Sequence, residues 1–544
     1  MLPGIEEGRD RATEPNALWS FAVRQPALAV ALLAALLYLP WLSAAPVRGS
    51  LEANRLVAAR EMLARGDWVL PTLNGQPYLA KPPFQYWLIE IVAAVTGSSV
   101  LVAGRAISAL AVVGLAALVA AYGRRTVSGT VGLIAGLGVA LAGIVIEKGV
   151  IAELETVLAV AMAAAAFSFY FANVDARRRL LWLSTGGLAL GAAFLTKGPV
   201  VLVFLLPAAG AFLIASPGER RRASLLFIAQ VLIGLAITLP WVIALLQRVG
   251  WSSAALKFQS EAVERVHHAG VSNAEPWWFY GPGLFGALGP LALMLPFLLL
   301  RPWRAVSRRR RSFFLLGWAL GPLLLLSCSA GKEVRYLISG MPAWALLLAE
   351  GVEAAWVDGK LLGYRRVLRG LALAVSWVGP VAVVGASFFL SGEPRKAALV
   401  AGGLLFLARI LASLSRRGTL SVSSASVLLA VIGVKVFWAH AYFGEARSRR
   451  PVMEVGSRID AQVPADRELV VLEYDSVIEL AADRRLHVVP DLSLVEPAAN
   501  ENTVALIASD AAAGPAWTET DSFQLGTRQY RLVRREPEAR HAKF

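Results

Sequence analysis

Residues 51–87 read LEANRLVAAREMLARGDWVLPTLNGQPYLAKPPFQYW, and they directly follow the first apolar run of the chain. This stretch places charges and aromatic rings inside an otherwise apolar sequence; the charges are Glu52, Arg55, Arg60, Glu61, Arg65, Asp67 and Lys81. Charges beside a bilayer are costly, so they usually mark a working surface. The stretch therefore predicts a membrane protein with a functional loop after its first span.

The composition of the chain is typical of a polytopic membrane protein. Hydrophobic residues make up 57% and charged residues 17% of the 544 residues, whereas a soluble domain carries about 25% charged residues. A single cysteine, Cys328, excludes a disulfide framework and a cysteine-based metal cluster. The net charge of +15 does not indicate a nucleic-acid partner, because the arginines lie in short clusters between apolar runs.

Apolar runs long enough to span a bilayer predict about 13 transmembrane helices. The first run, residues 26–44, ends in a sequence that would also suit signal-peptide cleavage, but an uncleaved anchor is expected because many spans follow. Phe84–Thr96 is too short to span and is expected to lie along the interface. The other runs lie near residues 100–122, 129–147, 154–174, 180–196, 198–215, 223–246, 279–300, 312–329, 335–351, 367–390, 396–413 and 420–442.

Arginine clusters set the predicted orientation, because positive residues are retained on the cytoplasmic side. Clusters such as Arg177–Arg179 and Arg220–Arg222 alternate with loops that lack them. The N-terminus is thus predicted inside and the C-terminus outside. The composition changes near Arg447. The sequence of residues 463–489 predicts strand, helix and strand, and residues 504–508 and 529–533 predict further strands, so a small soluble α/β domain is expected outside.

Three acidic residues on the predicted outer side are candidates for a catalytic base: Glu52, Glu153 and Glu155. A spacing of two on a helix turns Glu153 and Glu155 to different faces, so only one is expected to point at a shared cavity. The alternative for each is a solvated loop charge or a carboxylate favoured by a helix N-terminus.

Basic and aromatic residues collect on the same predicted face. Arginine forks and lysine point charges are what a phosphate group needs; the basic residues are Arg55, Lys81, Lys197, Arg265, Lys332 and Arg335. Snorkelling to lipid headgroups is the alternative. Aromatic rings at outer span ends form a membrane belt or stack on a sugar; they include Tyr78, Tyr86, Trp278 and Tyr336. No metal-binding motif is recognised, and His267 and His268 are expected to be a solvated pair.

The stretch AREMLARGDWVLPTLNGQPYLAKPPFQYWLIE, residues 59–90, resembles the first periplasmic loop of the bacterial aminoarabinose transferase and protein O-mannosyltransferase group. Four further matches follow in family order over roughly residues 50–350: AELETVLAVAMAAA, AFLTKGPVVLV, EPWWFYGP and KEVRYLISGMPAWALLLA. The pair formed by the KPP…YW loop and TKGP is highly specific. The resemblance implies a GT-C glycosyltransferase of family 39/83 type, with juxtamembrane helices after the first span.

Such enzymes take a sugar from a polyprenyl monophosphate, undecaprenyl phosphate in bacteria, and pass it to a lipid, glycan or protein acceptor. The resemblance implies a multi-pass protein of the bacterial inner membrane, with residues 1–446 as the glycosyltransferase domain, residues 45–98 as its first outer loop and residues 447–544 as a periplasmic domain. The resemblance implies that Lys81 and Arg55 bind the donor phosphate. It also implies that the site is lined by Tyr78, Lys197, Arg265 and Tyr336. An acidic residue of the first loop is then the base.

The chain departs from the family pattern at the start of this loop, where relatives carry Asp-Glu and then Arg two residues on. An ungapped alignment puts Leu51 and Asn54 on the Asp and Arg positions. A one-residue deletion before Arg60 puts Glu52 and Arg55 there instead. Glu52 is therefore the first choice for the base, narrowly ahead of Glu153 and Glu155.

The expected reaction is a single inverting displacement at the anomeric carbon, in which a carboxylate takes the acceptor proton and basic residues stabilise the leaving phosphate. No obligate cofactor is expected, and the use of a divalent cation is left as an open alternative. The protein is expected to be a monomer. The alternative is a polyprenyl-linked lipid transporter or a catalytically silent lipid-binding relative. A transporter should carry polar groups near the bilayer midplane, whereas the polar groups here lie at the predicted outer rim.

Overall fold

The computed structural model describes residues 17–43, 47, 49–252, 275–300, 309–329, 331–357, 362–390, 392–414, 433, 436, 452–463, 469–495, 504–511, 513–514, 516–525 and 528–535. Six described helical segments between residues 100 and 355 are long and apolar enough to cross a membrane. The chain is therefore a multi-pass membrane protein, as predicted. The predicted span near 420–442 lies almost wholly outside the described residues, and the total of about 13 spans stays a prediction.

The membrane part is a succession of helices, several of which begin at a capping side chain. Ser99 and Ser128 each accept a hydrogen bond from the backbone N–H three residues on, which satisfies a donor that the helix itself leaves unpaired. The helices are α1 (Ala17–Arg24), α2 (Pro26–Tyr38), α3 (Ser50–Arg65), α4 (Phe84–Thr96), α5 (Val100–Thr126), α6 (Gly129–Leu141), α7 (Gly143–Lys148), α8 (Leu154–Val174), α9 (Arg179–Lys197), α10 (Leu202–Ala215), α11 (Arg220–Val249), α12 (Tyr280–Leu288), α13 (Arg309–Ser327), α14 (Met341–Val357), α15 (Leu362–Ala386) and α16 (Gly392–Leu414).

Small residues let α5 and α6 pack backbone to backbone. A Cβ atom added at Gly132 would lie 2.4 Å from the carbonyl oxygen of Ala120, and one added at Gly123 would lie 2.8 Å from the Cα of Gly132. Close approach of this kind is how helices associate in lipid, where apolar burial supplies little driving force. The contact fixes α5, which carries one of the site residues.

The long helices place charged residues at both ends of the bundle. Helix α8 has 21 residues, which is about 30 Å at 1.5 Å per residue and matches the thickness of a hydrocarbon core. Glu153 precedes α8, and Asp175 follows it at the other end. Helix α9 runs back from Arg179 to Lys197. We call the end with Glu153 and Lys197 the carboxylate end, and the end with Asp175 and Arg179 the arginine end.

The predicted functional loop forms two juxtamembrane helices, α3 and α4, joined by a small hairpin. Helix α3 ends at Gly66, whose left-handed φ of 62° suits a residue without a side chain. Strands β1 (Thr72–Leu73) and β2 (Gln76–Pro77) pair antiparallel. The turn between them is Asn74-Gly75, with φ values of 51° and 76°, as a two-residue hairpin requires.

The C-terminal part is a five-stranded mixed sheet in the order β4-β3-β5-β7-β6. Its strands are β3 (Leu469–Val471), β4 (Leu486–Val488), β5 (Val504–Ala508), β6 (Trp517–Leu525) and β7 (Arg528–Arg535), and its helices are α17 (Val452–Gln462) and α18 (Ser476–Ala482). The predicted strand–helix–strand unit is confirmed as β3-α18-β4, and β5 and β7 are confirmed as strands. The sequence did not predict β6 or α17.

Candidate active site

Glu52 is held in a buried ion pair at the carboxylate end of the bundle. Its Oε1 lies 3.0 Å from Nε of Arg105, and its Oε2 lies 3.5 Å from Nη2 of the same guanidinium. Both residues are almost completely shielded from solvent. Glu52 comes from the first turn of α3 and Arg105 from the first turns of α5. The pair therefore ties the functional loop to the bundle.

One turn further along α3, Arg55 reaches the same segment of chain as Glu52. The amide N–H of Ala152 donates to Glu52 Oε1 at 3.0 Å, and the carbonyl of Ala152 accepts from Arg55 Nη1 at 2.8 Å. The second nitrogen of Arg55, Nη2, lies 3.1 Å from Oε1 of Glu153. Residues three apart on a helix lie on one face, so Glu52 and Arg55 hold the start of α8 together.

Glu153 is the N-cap residue of α8 and is buried. Its Oε1 accepts from the backbone N–H groups of Leu154 and Glu155 at 2.9 and 3.4 Å, besides the contact with Arg55. Burial by itself raises the pKa of Glu153, but Arg55, Arg335, Lys148 and a backbone N–H bring the pKa below its ordinary value. Its second oxygen, Oε2, makes no hydrogen bond with any described residue. Glu153 is thus an ionised carboxylate with one oxygen available.

Glu155 faces a different partner, as its spacing from Glu153 predicts. Its Oε1 forms a buried ion pair with Nζ of Lys197, the last residue of α9. The same ammonium lies 4.0 Å from the ring centroid of Tyr336, a cation–π contact. Oε2 of Glu155 is buried and has no hydrogen-bond partner among the described residues. The structure therefore brings Glu155, Lys197 and Tyr336 together.

Two further predicted site residues of the functional loop, Lys81 and Tyr78, are less enclosed than Glu52. Lys81 is half-buried just before α4, and its Nζ donates to the carbonyl of Ala80 at 2.6 Å. Tyr78 is half-buried as well, whereas Tyr86 is fully buried within α4. Helix α11 fixes the loop, because Arg248 lies 2.6 Å from Asp67 and the indole N–H of Trp241 donates to the carbonyl of Val69.

Two predicted basic residues come from the segment after α13. Lys332 is buried, and its Nζ donates to the carbonyls of Glu275, at 2.7 Å, and Ser329. Arg335 lies 3.3 Å from Glu333 and close enough to Glu153 to lower the pKa of that carboxyl. Trp278 is mostly exposed. Arg265, His267 and His268 lie outside the described residues.

Arg105 is the residue that sequence reasoning missed. It lies inside the run 100–122, which was predicted as a plain membrane span. A lone arginine in an apolar run is itself a signal, because a charge at that depth needs a partner. Over the described ranges, no three His, Cys, Asp or Glu side chains are grouped so that they could hold a metal ion.

Comparison with known proteins supports the family resemblance that the sequence predicts. Residues 80–243 match the family model described as dolichyl-phosphate-mannose-protein mannosyltransferase. A relative from Serratia proteamaculans (strain 568), named undecaprenyl phosphate-alpha-4-amino-4-deoxy-L-arabinose arabinosyl transferase, is 32% identical over 366 residues. That alignment covers 63% of this chain and 62% of the relative. A relative from Sodalis glossinidius (strain morsitans), named undecaprenyl phosphate-alpha-4-amino-4-deoxy-L-arabinose arabinosyl transferase 1, is 34% identical over 310 residues, covering 55% of this chain and 53% of the relative. The predicted resemblance is confirmed.

Solved structures establish the fold. The crystal structure of ArnT from Cupriavidus metallidurans bound to undecaprenyl phosphate superposes with a TM-score of 0.74 at 20% identity, and covers 95% of this chain and 98% of that one. The apo oligosaccharyltransferase of Archaeoglobus fulgidus gives a TM-score of 0.50 at 14% identity, with 88% of this chain and 65% of that chain covered. The predicted GT-C membrane fold is confirmed. The sequence alignments themselves span about 62% of the first relatives' length.

Proposed function

We propose that this protein is an integral-membrane glycosyltransferase that takes a sugar from an undecaprenyl-phosphate-linked donor and passes it to a lipid, glycan or protein acceptor. The observation that carries the proposal is the buried layer at the carboxylate end, where Glu52, Glu153 and Glu155 each meet a separate basic partner. Buried charges at the rim of a membrane bundle are costly and mark function. The names of the relatives supply the donor class, and aminoarabinose is the first sugar to test.

The proposed reaction is one displacement. The acceptor oxygen forms a bond to the anomeric carbon, and the bond from that carbon to the phosphate oxygen breaks. The electron pair of the broken bond stays on the polyprenyl phosphate, and the acceptor proton passes to a carboxylate. Attack and departure on opposite faces invert the anomeric configuration.

The positions of the three carboxylates favour Glu153 as the base over Glu52, the first choice from sequence. Both oxygens of Glu52 face Arg105, so its negative charge is already neutralised. Glu153 receives its hydrogen bonds on Oε1 and keeps Oε2 for the acceptor proton. Glu155 retains one unbonded oxygen as well, but that oxygen is buried. Glu52 is then a residue that positions Arg105 and Ala152.

The basic residues divide into two roles in this proposal. Lys81, Arg335 and Lys197 would approach the donor phosphate and stabilise the charge that develops on the leaving oxygen. Arg55 would do so while holding Glu153, and Arg265 keeps its proposed phosphate role. Lys332 uses two carbonyl acceptors already, which supports a role in fixing the loop around Glu275. Tyr78, Tyr336, Tyr86 and Trp278 remain proposed lining residues.

The position of these groups at one end of the bundle, about 30 Å from the arginine end, is unlike the midplane site of a transporter. We assign the arginine end to the cytoplasm by the positive-inside rule, in the inner membrane of a bacterium. The N-terminus is then cytoplasmic, and residues 447–544 form a periplasmic domain after a membrane domain of residues 1–446. We propose a monomer, as expected from the sequence.

A deletion strain tests the proposed function and identifies the acceptor. Mass spectrometry of its envelope glycolipids and glycoproteins should show loss of one sugar modification, restored by the wild-type gene. Lys81→Ala should fail to restore the modification. Lys396→Ala, at an exposed lysine near the start of α16, should restore it. An unchanged envelope in the deletion strain, with donors of every available sugar class present, would contradict the proposal.

A further inference from the structure

A cavity opens at the arginine end of the bundle, far from the carboxylates. It has a volume of about 800 Å³ and is lined by residues that include Arg125, Tyr170, Phe171, Asp175, Arg177 and Arg311. The whole length of α8, 21 residues or about 30 Å, separates it from Glu153. The cavity is therefore on the opposite membrane face and is not part of the candidate active site.

The charge of the cavity is unbalanced. Among the described residues that line it, Asp175 is the one acidic residue, and it is already paired with Arg125 at 2.6 Å. Arg177 is exposed and forms no hydrogen bond or ion pair with any residue that the structure describes. Arg177 thus faces the cavity without an acidic partner among the described residues, and Arg311, whose charge is balanced by Glu350, adds a second guanidinium to the lining.

Arg311 carries the second, independent observation. Arg311 is only 5% exposed. Its Nη2 lies 3.0 Å from Glu350, and its Nη1 donates to the carbonyl of Thr126. Its Nε is buried and has no hydrogen-bond partner in the described chain. A buried N–H group without an acceptor is costly. An anionic oxygen that entered the cavity would supply one.

One wall of the cavity is apolar, and exposed apolar side chains follow it along the chain. The Arg125 guanidinium lies 4.5 Å from the centroid of Phe171 and 5.0 Å from that of Trp182, which holds it in place by cation–π contacts. Val174 lines the cavity and is 45% exposed, and the neighbouring Leu180 is 78% exposed. An acyl chain could lie along this strip while its headgroup occupies the basic interior.

We propose that this cavity binds a phosphate ester, with Arg177 as its charge partner and Nε of Arg311 as a hydrogen-bond donor. Guanidinium groups match the geometry of phosphate oxygens, and basic pockets between transmembrane helices recognise phosphate headgroups of lipids. The same chemistry would accept free phosphate. The apolar strip beside Val174 favours a lipid as the ligand, because free phosphate has no apolar group that could pack against it.

The test uses the full-length protein in two arms. In the first arm, native mass spectrometry measures binding of phosphatidylglycerol against phosphatidylcholine. In the second arm, inorganic phosphate is titrated against thermal unfolding. Arg177→Gln removes one charged hydrogen bond to the ligand. The affinity of this variant for the bound probe should therefore be about tenfold lower than that of the wild type. Arg221→Gln is the matched control, because Arg221 is an exposed arginine of the same end that does not line the cavity.

Loss of phosphatidylglycerol binding in Arg177→Gln, but not in Arg221→Gln, would support a lipid ligand. The same pattern with inorganic phosphate alone would support the site with a soluble ligand. Arg311→Lys, which keeps the charge but lacks Nε, should weaken binding in either case. Equal binding by the Arg177 and Arg221 variants, or no saturable binding of either probe by the wild type, would overturn the proposal.

Discussion

Nη2 of Arg55 lies 3.1 Å from Oε1 of Glu153, and both side chains are buried. The contact joins α3 to the start of α8, alongside the hydrogen bond from Arg55 to the carbonyl of Ala152, which lies 97 positions away in sequence. Because Arg55 also lowers the pKa of Glu153, it determines both the position and the charge of the proposed base.

Replacing Arg55 by Ala should slow sugar transfer by about a hundredfold, the effect of removing one group that stabilises charge in an active site. The pKa of Glu153 should also rise, because burial then acts without its nearest opposing charge. Since the base must be ionised, the acidic limb of the pH–rate profile should move to higher pH. An Arg55→Ala enzyme with an unshifted acidic limb would contradict this role.

Replacing Glu52 by Gln should destabilise the protein rather than act on the chemical step. Arg105 would keep a buried charge with a neutral partner, and breaking a buried ion pair costs about 3–5 kcal/mol. Thermal unfolding should show a large drop. Glu473→Gln is the control, because Glu473 and its partner Arg528 are 76% and 57% exposed at the side chain and such pairs contribute about 0–1 kcal/mol. A stable Glu52→Gln protein without transfer activity would instead restore Glu52 as the base.

Glu90 of α4 should make stability depend on pH. Burial and the negative charge of Asp67 raise the pKa of Glu90, and the positive charge of Arg65 lowers it. The net result is a pKa raised from 4.5 to about 8. Its two carboxylate oxygens have no hydrogen-bond partner among the described residues. The folded protein then holds a proton that the unfolded chain releases near its ordinary pKa. Stability should therefore fall as pH rises from about 4.5 to about 8 and level off above that.

The variant Glu90→Gln removes this titration. It should match the wild type in thermal unfolding near the lower end of that range and exceed it at pH values above 8, where the wild type carries a buried charge. Glu454→Gln, at an exposed position of α17, should leave the pH dependence as it is. A Glu90→Gln protein that loses stability with pH as steeply as the wild type would show that another group is responsible.

Arg60 should anchor the C-terminal sheet to α3. Its guanidinium donates to the side chain of Glu479 at 2.9 Å, to the carbonyl of Glu479 at 3.1 Å and to Asp483 at 2.8 Å. Arg60→Ala should therefore increase hydrogen exchange in α18 and β4, because the charged contacts that cover them are lost. Arg528→Ala, at an exposed pair, should not do so. Unchanged exchange in the Arg60 variant would mean that apolar contacts alone hold the sheet.

Much of the fold was predictable because its causes are local. Apolar runs and arginine clusters identify spans and loops, and alternating apolar residues identified β3, β4, β5 and β7. Strand β6 was missed because its sequence, WTETDSFQL, is largely polar, as an edge strand at the margin of a sheet can be. Helix α17 was missed although its buried residues Val452, Val455 and Ile459 recur at helical spacing. The total number of spans depends on packing that no short pattern reveals.

The candidate site was predictable as a set of residues but not as pairs. Sequence placed Glu52, Glu153 and Glu155 on one face. The choice among them depends on Arg105, Arg55 and Lys197, each of which is far along the chain from the carboxylate that it contacts. Contacts at such separations follow from the tertiary fold. Local patterns supplied two details. A carboxylate favoured by a helix N-terminus was one interpretation of Glu153, which caps α8, and the spacing of two predicted separate partners for Glu153 and Glu155.

Sugar transfer by the purified protein tests the central proposal most directly. The wild type, reconstituted in lipid with undecaprenyl-phosphate-linked aminoarabinose and an envelope lipid extract, should release undecaprenyl phosphate and give a glycosylated product by mass spectrometry. Glu153→Gln should reduce the rate by about a hundredfold or more, while Glu147→Gln, a partly exposed carboxylate before α8, should keep most of it. Normal transfer by the Glu153 variant, or no transfer by the wild type with any polyprenyl-phosphate sugar, would contradict this account.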